Sequence, residues 1–222
     1  MKTEIISFFS DIDGTSYYSD HAFRLREECF KHNVPYDFRH MESTGDYRLN
    51  CLRKPQFILS LLEEKKKPLV WMDIDSIIHK ELLAFDHLSE NNADIGFAYP
   101  ITKPDQINMS SPKASPIFCN YNEKVIKFLQ TWIANCEESL KNGEHFFDHE
   151  ILLMRVLPKV KEIKIGILPI NYCVWPNKCP KGIDPYITMG IADGKSKEKN
   201  LRELAKVLNM SEHHILFNLN KV

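Results

Sequence analysis

The chain contains 222 residues, of which 43% are hydrophobic and 27% are charged, and its formal net charge is −1. This composition is typical of a folded soluble protein of one domain and excludes a disordered chain. The near-neutral charge excludes a general attraction to nucleic acid or to an anionic membrane. The six cysteines form no C-x-x-C pair, and no apolar run is long enough to span a bilayer, so we expect a cytoplasmic protein without a membrane span.

Apolar periodicity in the first hundred residues predicts strands that alternate with helices. Pro55 suits the first turn of a helix, where its missing N–H costs nothing. The predicted elements are a strand over 4–10, a helix from Ser19 or Asp20 to about 32, a strand over 34–40, a polar loop over 44–50, a helix from Pro55, a strand over 68–75 and a strand over 95–98.

The second half continues the alternation, which favours an α/β fold with a mixed, mainly parallel sheet flanked by helices. Four prolines between residues 100 and 116, together with Ser110 and Ser111, predict a mobile loop. The further predicted elements are a strand over 117–119, a long helix around 125–136, a helix from Asp148 to about 156, a strand over 163–170, a loop over 171–185 and a helix over 198–208.

The sequence Leu69-Val70-Trp71-Met72-Asp73-Ile74-Asp75 is the most informative motif of the chain. Read as a strand, it places Asp73 and Asp75 on the same side, at the carboxyl end of an apolar segment. Charges at such a position need compensation, and Mg²⁺ or Mn²⁺ provides it through hard oxygen ligands shared with phosphate and water. The motif therefore points to a nucleotide diphosphate, although a solvated turn or a helix cap is the structural alternative.

A second acidic motif lies near the N-terminus, in Phe8-Phe9-Ser10-Asp11-Ile12-Asp13-Gly14-Thr15. It resembles the first motif of haloacid dehalogenase-like phosphatases, which would make Asp11 the nucleophile and Asp13 the acid. The later acidic motif of that family is only weakly imitated by residues 191–194. A phosphatase therefore stays open as an alternative.

A longer series of motifs resembles the nucleotide-diphospho-sugar transferases of the GT-A type. In that family a K-P-x-F-I helix leads into the strand that carries a metal-binding D-x-D. Here residues 47–58 read YRLNCLRKPQFI and residues 70–75 read VWMDID. The resemblance is closest to the small glycosyltransferase domains of large algal viruses and extends from residue 4 to about 200. Its other members are residues 16–20, 116–120, 147–150 and 167–169.

This resemblance implies one GT-A domain over residues 1–222, with a nucleotide-binding half over about 1–99 and an acceptor half over about 100–222. It implies a metal-dependent transferase of the hexosyltransferase type, which moves a sugar from a nucleotide diphosphate donor, most simply a UDP-sugar, to a hydroxyl on a glycan or similar acceptor. Mn²⁺ or Mg²⁺ would be the cofactor. The resemblance favours retention of configuration over inversion.

The resemblance also assigns roles to residues. Asp75 would ligate the metal, and Asp73 would contact its water shell or the ribose. Asp148 or Glu150 would assist the reaction or touch the donor sugar. The donor itself would be held by Asp11, Tyr17 and Tyr18 at the base and ribose, by Arg53 and Lys54 at the phosphates or sugar, and by Gly190, Lys195 and Lys197 over the diphosphate.

Each of these roles has a structural alternative. The tyrosines suit ordinary packing at a helix start, Asp148 suits an N-cap, and the lysines of the last group suit a surface loop. Many relatives carry a metal-binding histidine near the C-terminus, whereas Thr188-Met189-Gly190 has none. A non-catalytic sugar-nucleotide binding protein is therefore a third possibility.

Overall fold

The computed structural model describes residues 1–11, 16–99, 101–103, 106–107, 112–175 and 182–190. The described α-helices are α1 (Tyr17–Lys31), α2 (Tyr47–Leu52), α3 (Lys54–Lys65), α4 (Leu83–Glu90), α5 (Glu123–Lys141) and α6 (Asp148–Ile151). A π-helix (Leu152–Val156) continues α6, and short 3₁₀ helices cover Leu157–Lys159 and Ile170–Tyr172. The described strands are β1 (Glu4–Phe9), β2 (Tyr36–His40), β3 (Leu69–Trp71), β4 (Ile77–Ile78), β5 (Ile95–Phe97), β6 (Ile101–Lys103), β7 (Gln106–Ile107), β8 (Ile117–Cys119), β9 (Ile165–Ile167) and β10 (Ile187–Thr188).

Six strands form the main sheet, in the order β2-β1-β3-β8-β5-β9. β1 pairs in parallel with both β2 and β3, and β5 pairs in parallel with β9. β8 runs antiparallel to its two neighbours. The prediction of an α/β fold with a mixed, mainly parallel sheet is therefore confirmed.

Helices cover both faces of this sheet. Successive residues of a strand point to opposite faces, so apolar residues at neighbouring positions need burial on both sides. Ile6 in β1 is buried against α3 and α5, whereas the neighbouring Ile5 is buried with the apolar residues of α1 and α4. α5 contributes the fully buried Trp132 to the first of these layers. Among the residues described, no helix combines the length and the apolar character that a bilayer span requires.

Three sequence predictions were wrong in detail. The strand that should have contained both acids ends at Trp71, so Asp73 and Asp75 lie in the turn that follows it. The polar stretch 44–50 runs into α2, whose first turn is capped by the Asp46 carboxylate at 3.0 Å from the N–H of Leu49. The proline-rich stretch 100–116, predicted as a loop, contains the paired strands β6 and β7.

The chain connections create a crevice at the carboxyl ends of β1 and β3. From β1 the chain passes through α1 to β2 on one side, and then returns through α2 and α3 to β3 on the other side of β1. Such a reversal leaves a gap beyond the strand ends, which is where open α/β sheets bind ligands. Phe9 and Trp71 are the last residues of these two strands.

A small two-stranded sheet brings a late segment of the chain to this crevice. β10 pairs antiparallel with β4, which follows the acidic turn directly. Beyond β10, Met189 places its sulfur 3.2 Å from Oγ of Ser76. The pairing therefore holds residues 189 and 190 beside the turn that carries Asp75.

Candidate active site

A cavity of about 500 Å³ opens at the crevice between β1 and β3. Its wall is formed by the ends of β1 and β3, the starts of α1, α2, α3 and α6, and residues 112–115, 175 and 189–190. Three aspartates, Asp73, Asp75 and Asp148, line it together with two lysines, Lys54 and Lys113. Five charged side chains therefore stand in a largely apolar wall, and such charges suit a phosphate-bearing ligand.

Asp73 is held at the end of β3 by contacts to its backbone and side chain. Its N–H donates to Oγ of Ser115 at 2.9 Å, and its Oδ1 accepts from the indole N–H of Trp71 at 2.8 Å. Nζ of Lys54 lies 3.4 Å from the same oxygen. Within the described part of the chain, these contacts leave Oδ2 without a hydrogen bond or ion pair, so that oxygen can take a further ligand.

The turn after Asp73 places Asp75 at the same cavity. Ser76 closes the turn, because its N–H and its hydroxyl both lie within hydrogen-bonding distance of the Asp73 carbonyl, at 3.0 and 2.5 Å. Asp75 lines the cavity together with Asp73. Both acids therefore line the cavity, and a turn, not the predicted strand, brings them there.

Lys54 joins the acidic turn to the start of α6. Its Nζ lies 2.8 Å from Oδ2 of Asp148 and donates to the carbonyl of Ala114 at 3.2 Å. Burial alone would lower the pKa of Lys54, but the carboxylates of Asp148 and Asp73 outweigh burial and hold the pKa above its usual value. Lys54 is therefore a fixed cation, already engaged by two carboxylates.

Asp148 and Glu150 lie in different surroundings. Asp148 is 3% exposed and lines the cavity, and its carbonyl accepts the indole N–H of Trp132 at 3.0 Å. Glu150 accepts the N–H of Phe147 at 2.8 Å, which caps α6, and is not among the residues that line the cavity. The structure thus brings Asp148, but not Glu150, to the acids of the turn.

The loop after β1 and the start of α1 contribute Tyr18 to the cavity. Tyr17 is buried beneath it, with the two ring centroids 5.2 Å apart. Asp11 does not line the cavity; both of its oxygens accept from Ser19, one from the N–H at 2.8 Å and the other from the hydroxyl. Asp13 lies outside the described residues.

The other residues that were predicted to bind the sugar-nucleotide donor do not all lie at the cavity. Gly190 lines it. Arg53 donates from Nη1 to the carbonyl of Glu42 at 2.7 Å and lies over the ring of Phe8, outside the cavity lining. Lys195 and Lys197 lie outside the residues that the structure describes, as does the predicted helix over 198–208.

Several further side chains line the cavity without having been predicted there, among them Lys113, Trp175, Tyr47 and Phe147. Lys113 has its Nζ 5.8 Å from the ring centroid of Trp175, and it forms no ion pair with any described carboxylate. Tyr47 stacks obliquely on Phe147, with centroids 6.1 Å apart. No periodic pattern marks these residues. Two weaker signals were present in the sequence: Lys113 stands in a proline-rich stretch, and Trp175 follows the β9 strand.

The described thiol at this cavity, that of Cys51, does not provide a nucleophile. Cys51 lines the cavity, but burial and the neighbouring Asp148 raise the pKa of its thiol to about 12. A thiol with that pKa is protonated near neutral pH and reacts poorly. Among the described lining residues, the carboxylates and the lysines are therefore better suited than this thiol to take part in chemistry at the cavity.

The donor set fits a divalent cation that shares its ligands with a substrate. No cluster of three His, Cys, Asp or Glu side chains suited to a metal occurs among the residues described. Two carboxylates at one cavity wall are what Mg²⁺ or Mn²⁺ commonly takes from a protein when phosphate and water complete its shell. The available oxygen of Asp73 is consistent with that arrangement.

Comparisons with known proteins agree with this architecture. No protein-family model matches the chain, and no curated protein matches it. Among solved structures, the fold matches the crystal structure of a glycosyltransferase involved in the glycosylation of the major capsid of PBCV-1, with a TM-score of 0.66. The match covers 89% of this chain and 98% of that chain at 12% identity, so it shows a shared fold. The predicted α/β fold is thereby confirmed as a fold that a glycosyltransferase also has.

Proposed function

We propose that this protein is a metal-dependent glycosyltransferase with a GT-A type fold, which transfers a sugar from a nucleotide diphosphate donor, a UDP-sugar, to an acceptor hydroxyl on a glycan. One observation carries the proposal. The turn with Asp73 and Asp75 opens into a cavity at the crevice between β1 and β3, in a chain that shares its fold with a glycosyltransferase over 89% of its length.

The two acids of the turn have the role of cation ligands in this proposal. Asp75, with Oδ2 of Asp73, would hold Mn²⁺ or Mg²⁺. When bound, the cation would act as a Lewis acid and neutralise the leaving diphosphate. Trp71 and Lys54 restrain the other oxygen of Asp73 and so limit the orientations that its carboxylate can adopt.

Lys113 is the cation that we assign to the diphosphate. Lys54 is held between Asp148 and Asp73, whereas Lys113 has only an aromatic ring beside its ammonium group among the described contacts. An ammonium group can donate up to three hydrogen bonds to phosphate oxygens and can stabilise the charge that develops as the sugar–phosphate bond breaks. Lys195 and Lys197 were also predicted to bind the diphosphate, and that role stays a prediction.

Asp148 is the carboxylate that we assign to the reacting sugar, in preference to Glu150. Asp148 lines the cavity, while Glu150 is used as a helix cap. Oδ2 of Asp148 lies 2.8 Å from Nζ of Lys54, and the Asp148 carboxylate would accept a hydrogen bond from a sugar hydroxyl or stabilise positive charge at the anomeric carbon. The transfer would retain the configuration of the donor sugar.

Tyr18 is the residue that we assign to the nucleobase, because its ring lies at the cavity near the end of β1. An aromatic ring offers a flat apolar face for a base. Tyr17 and Asp11 support it indirectly: Tyr17 packs beneath Tyr18, and Asp11 binds Ser19 at the next position of α1.

Calorimetry of UDP binding with and without Mn²⁺ tests the proposal. We expect UDP to bind much more tightly with Mn²⁺, and we expect Asp75→Asn to remove that difference while the circular dichroism spectrum stays unchanged. Turnover is then measured with a panel of sugar nucleotides and simple glycoside acceptors. Equal UDP binding with and without Mn²⁺ would contradict the proposal, and metal-dependent binding without any turnover would favour a non-catalytic binding protein.

A phosphatase assay separates the remaining alternative. That reading needs Asp11 as a nucleophile, but both Asp11 oxygens are engaged by Ser19 and the residue lies outside the cavity lining. We therefore expect no hydrolysis of phosphate monoesters. Hydrolysis that disappears in Asp11→Asn, in a protein that does not bind UDP, would favour the phosphatase instead.

A further inference from the structure

Two charged side chains of α1, Arg24 and Glu28, contact the segment that follows Asp75. They are one helical turn apart and lie on the same face of the helix, with Nε of Arg24 3.4 Å from Oε1 of Glu28. Both are well removed from solvent, with side-chain exposures of 5% and 17%. Charged groups are rarely buried unless they hold something in place, so their contacts identify what they hold.

Arg24 and Glu28 bind the backbone on either side of β4's first residue. Arg24 donates from Nη2 to the carbonyl of Ser76 at 2.8 Å. Glu28 accepts the N–H of Ile78 in its Oε2 at 2.7 Å. Arg24 and Glu28 thus form hydrogen bonds with a carbonyl and with an N–H of the same short segment. These two bonds restrain the position and the orientation of residues 76–78.

The guanidinium group of Arg24 also interacts electrostatically with the carboxylate of Asp75. Burial lowers the pKa of Arg24, and the negative charges of Glu28 and then Asp75 oppose that effect. The guanidinium group is therefore a buried countercharge to the acid that lines the cavity, although Arg24 itself is not part of the cavity wall. Because α1 also carries Tyr18, one helix connects the nucleobase side of the cavity to the acidic turn.

We propose that Arg24 and Glu28 are positioning residues that set the place of Asp75 and so tune the binding of a divalent cation together with a nucleoside diphosphate. This inference rests on the proposed function. Neither residue touches the ligand. Each acts through the backbone at residues 76–78, in the way that groups behind metal ligands orient those ligands.

The test measures Mn²⁺ binding in the presence of UDP by the loss of the electron paramagnetic resonance signal of free Mn²⁺. We expect Arg24→Met and Glu28→Ala each to raise the Kd of Mn²⁺ by about tenfold or more, and Arg24→Lys to raise it less. Hydrogen–deuterium exchange over residues 73–79 should become faster in the same variants. Arg26→Met is the matched control, because Arg26 also lies on α1 and donates to a backbone carbonyl, that of Phe38 at 3.2 Å.

The outcomes separate this inference from the proposed function. If the wild-type protein binds Mn²⁺ with UDP and the folded variants bind it within about twofold of wild type, the positioning role is wrong and the proposed function stands. If wild-type protein shows no such binding, both fall. Should Arg24→Met fail to fold, Arg24→Lys and Glu28→Ala decide by the same criterion. An equal loss of Mn²⁺ affinity in Arg26→Met would overturn the inference, since it would show that any such change in α1 weakens Mn²⁺ binding.

Discussion

Nζ of Lys54 lies 2.8 Å from Oδ2 of Asp148, and their side chains are only 9% and 4% exposed. The pair connects the first turn of α3 to the first turn of α6, on two sides of the cavity. In a buried position the attraction between the charges offsets the cost of removing both from water, and it does so only while both are present. Stability and the geometry of the site therefore depend on the same contact.

Replacing Lys54 with Met should destabilise the protein, because it leaves the Asp148 carboxylate buried without its partner. We expect the free energy of unfolding to fall by about 3–5 kcal/mol. The double variant Lys54→Met/Asp148→Asn, which removes both charges, should recover part of this loss. Equilibrium unfolding in urea measures all three proteins. A single variant as stable as wild type would show that the pair is not stabilising.

Removing Lys113 should weaken binding of the diphosphate and spare the nucleoside. In Lys113→Ala we expect the affinity for UDP with Mn²⁺ to fall by about tenfold to a hundredfold, the usual size of a lost charge-assisted hydrogen bond. The affinity for uridine should not change. Calorimetry with both ligands makes the comparison.

Lys124→Ala is the matched control for Lys113. Lys124 is a lysine of α5 that donates to the carbonyl of Glu162 at 3.3 Å, and it does not line the cavity. UDP affinity should be unchanged in this variant. An equal loss of uridine and UDP binding in Lys113→Ala would mean that Lys113 supports the shape of the cavity and not the diphosphate.

Gly190 should not tolerate a side chain. Its φ is +67°, and an added Cβ would overlap the six-membered ring of Trp175. Gly143 has nearly the same φ, +66°, and open space around it. Both Gly→Ala variants should lose about 1–2 kcal/mol of stability from the backbone conformation. Gly190→Ala should lose more, because Trp175 must move.

Binding of UDP with Mn²⁺ and urea unfolding distinguish these two glycines. We expect weaker UDP binding and a changed tryptophan emission only in Gly190→Ala, since Trp175 lines the cavity. Identical behaviour of the two variants in both measurements would show that the contact between Gly190 and Trp175 has no consequence for the site.

Glu28 should make stability depend on pH. Burial raises the pKa of its carboxyl from 4.5 to about 7, against the opposing charges of Arg24 and Lys31, and Glu27 adds to the rise. The folded protein therefore binds more protons than the unfolded chain between these values. As pH rises through this window, the contribution of Glu28 to stability falls, and above it that contribution is constant.

Comparison with Glu28→Gln isolates this effect, because the amide cannot ionise. Between pH 4.5 and pH 8 the stability of wild type relative to Glu28→Gln should decrease by about 3 kcal/mol. Urea unfolding at a series of pH values measures the difference. Parallel pH profiles of the two proteins would contradict the prediction.

Sequence reasoning predicted the larger elements well and the small ones poorly. The β1 strand is rich in Ile and Phe and is buried on both faces, and α3 and α5 repeat buried apolar residues over several turns. α2 buries only Leu52, and β4 and β10 have two residues each. Elements this short are stabilised by their neighbours and leave no periodic pattern.

The candidate site was predicted in part for the same reason. Asp73 and Asp75 stand next to an apolar strand, so their place at a strand end could be inferred locally, and the resemblance to glycosyltransferases indicated Lys54 and Asp148. The ion pair between Lys54 and Asp148, which leaves Lys54 less available to phosphate, depends on how α3 and α6 both pack against α5. Lys113 was missed because no pattern in residues 100–116 indicates which side chain faces the cavity.

The sequence by itself determined which of the longer segments form strands and helices and which acids follow the apolar β3 segment, because these properties depend on residues close together in the chain. Only the tertiary structure decided which partner each charged side chain has. It engages Lys54 with two carboxylates, leaves Lys113 beside Trp175, and places Arg24 and Glu28 behind the acidic turn. Electrostatic partners are set by distance in space, and that distance follows from how the sheet and helices pack.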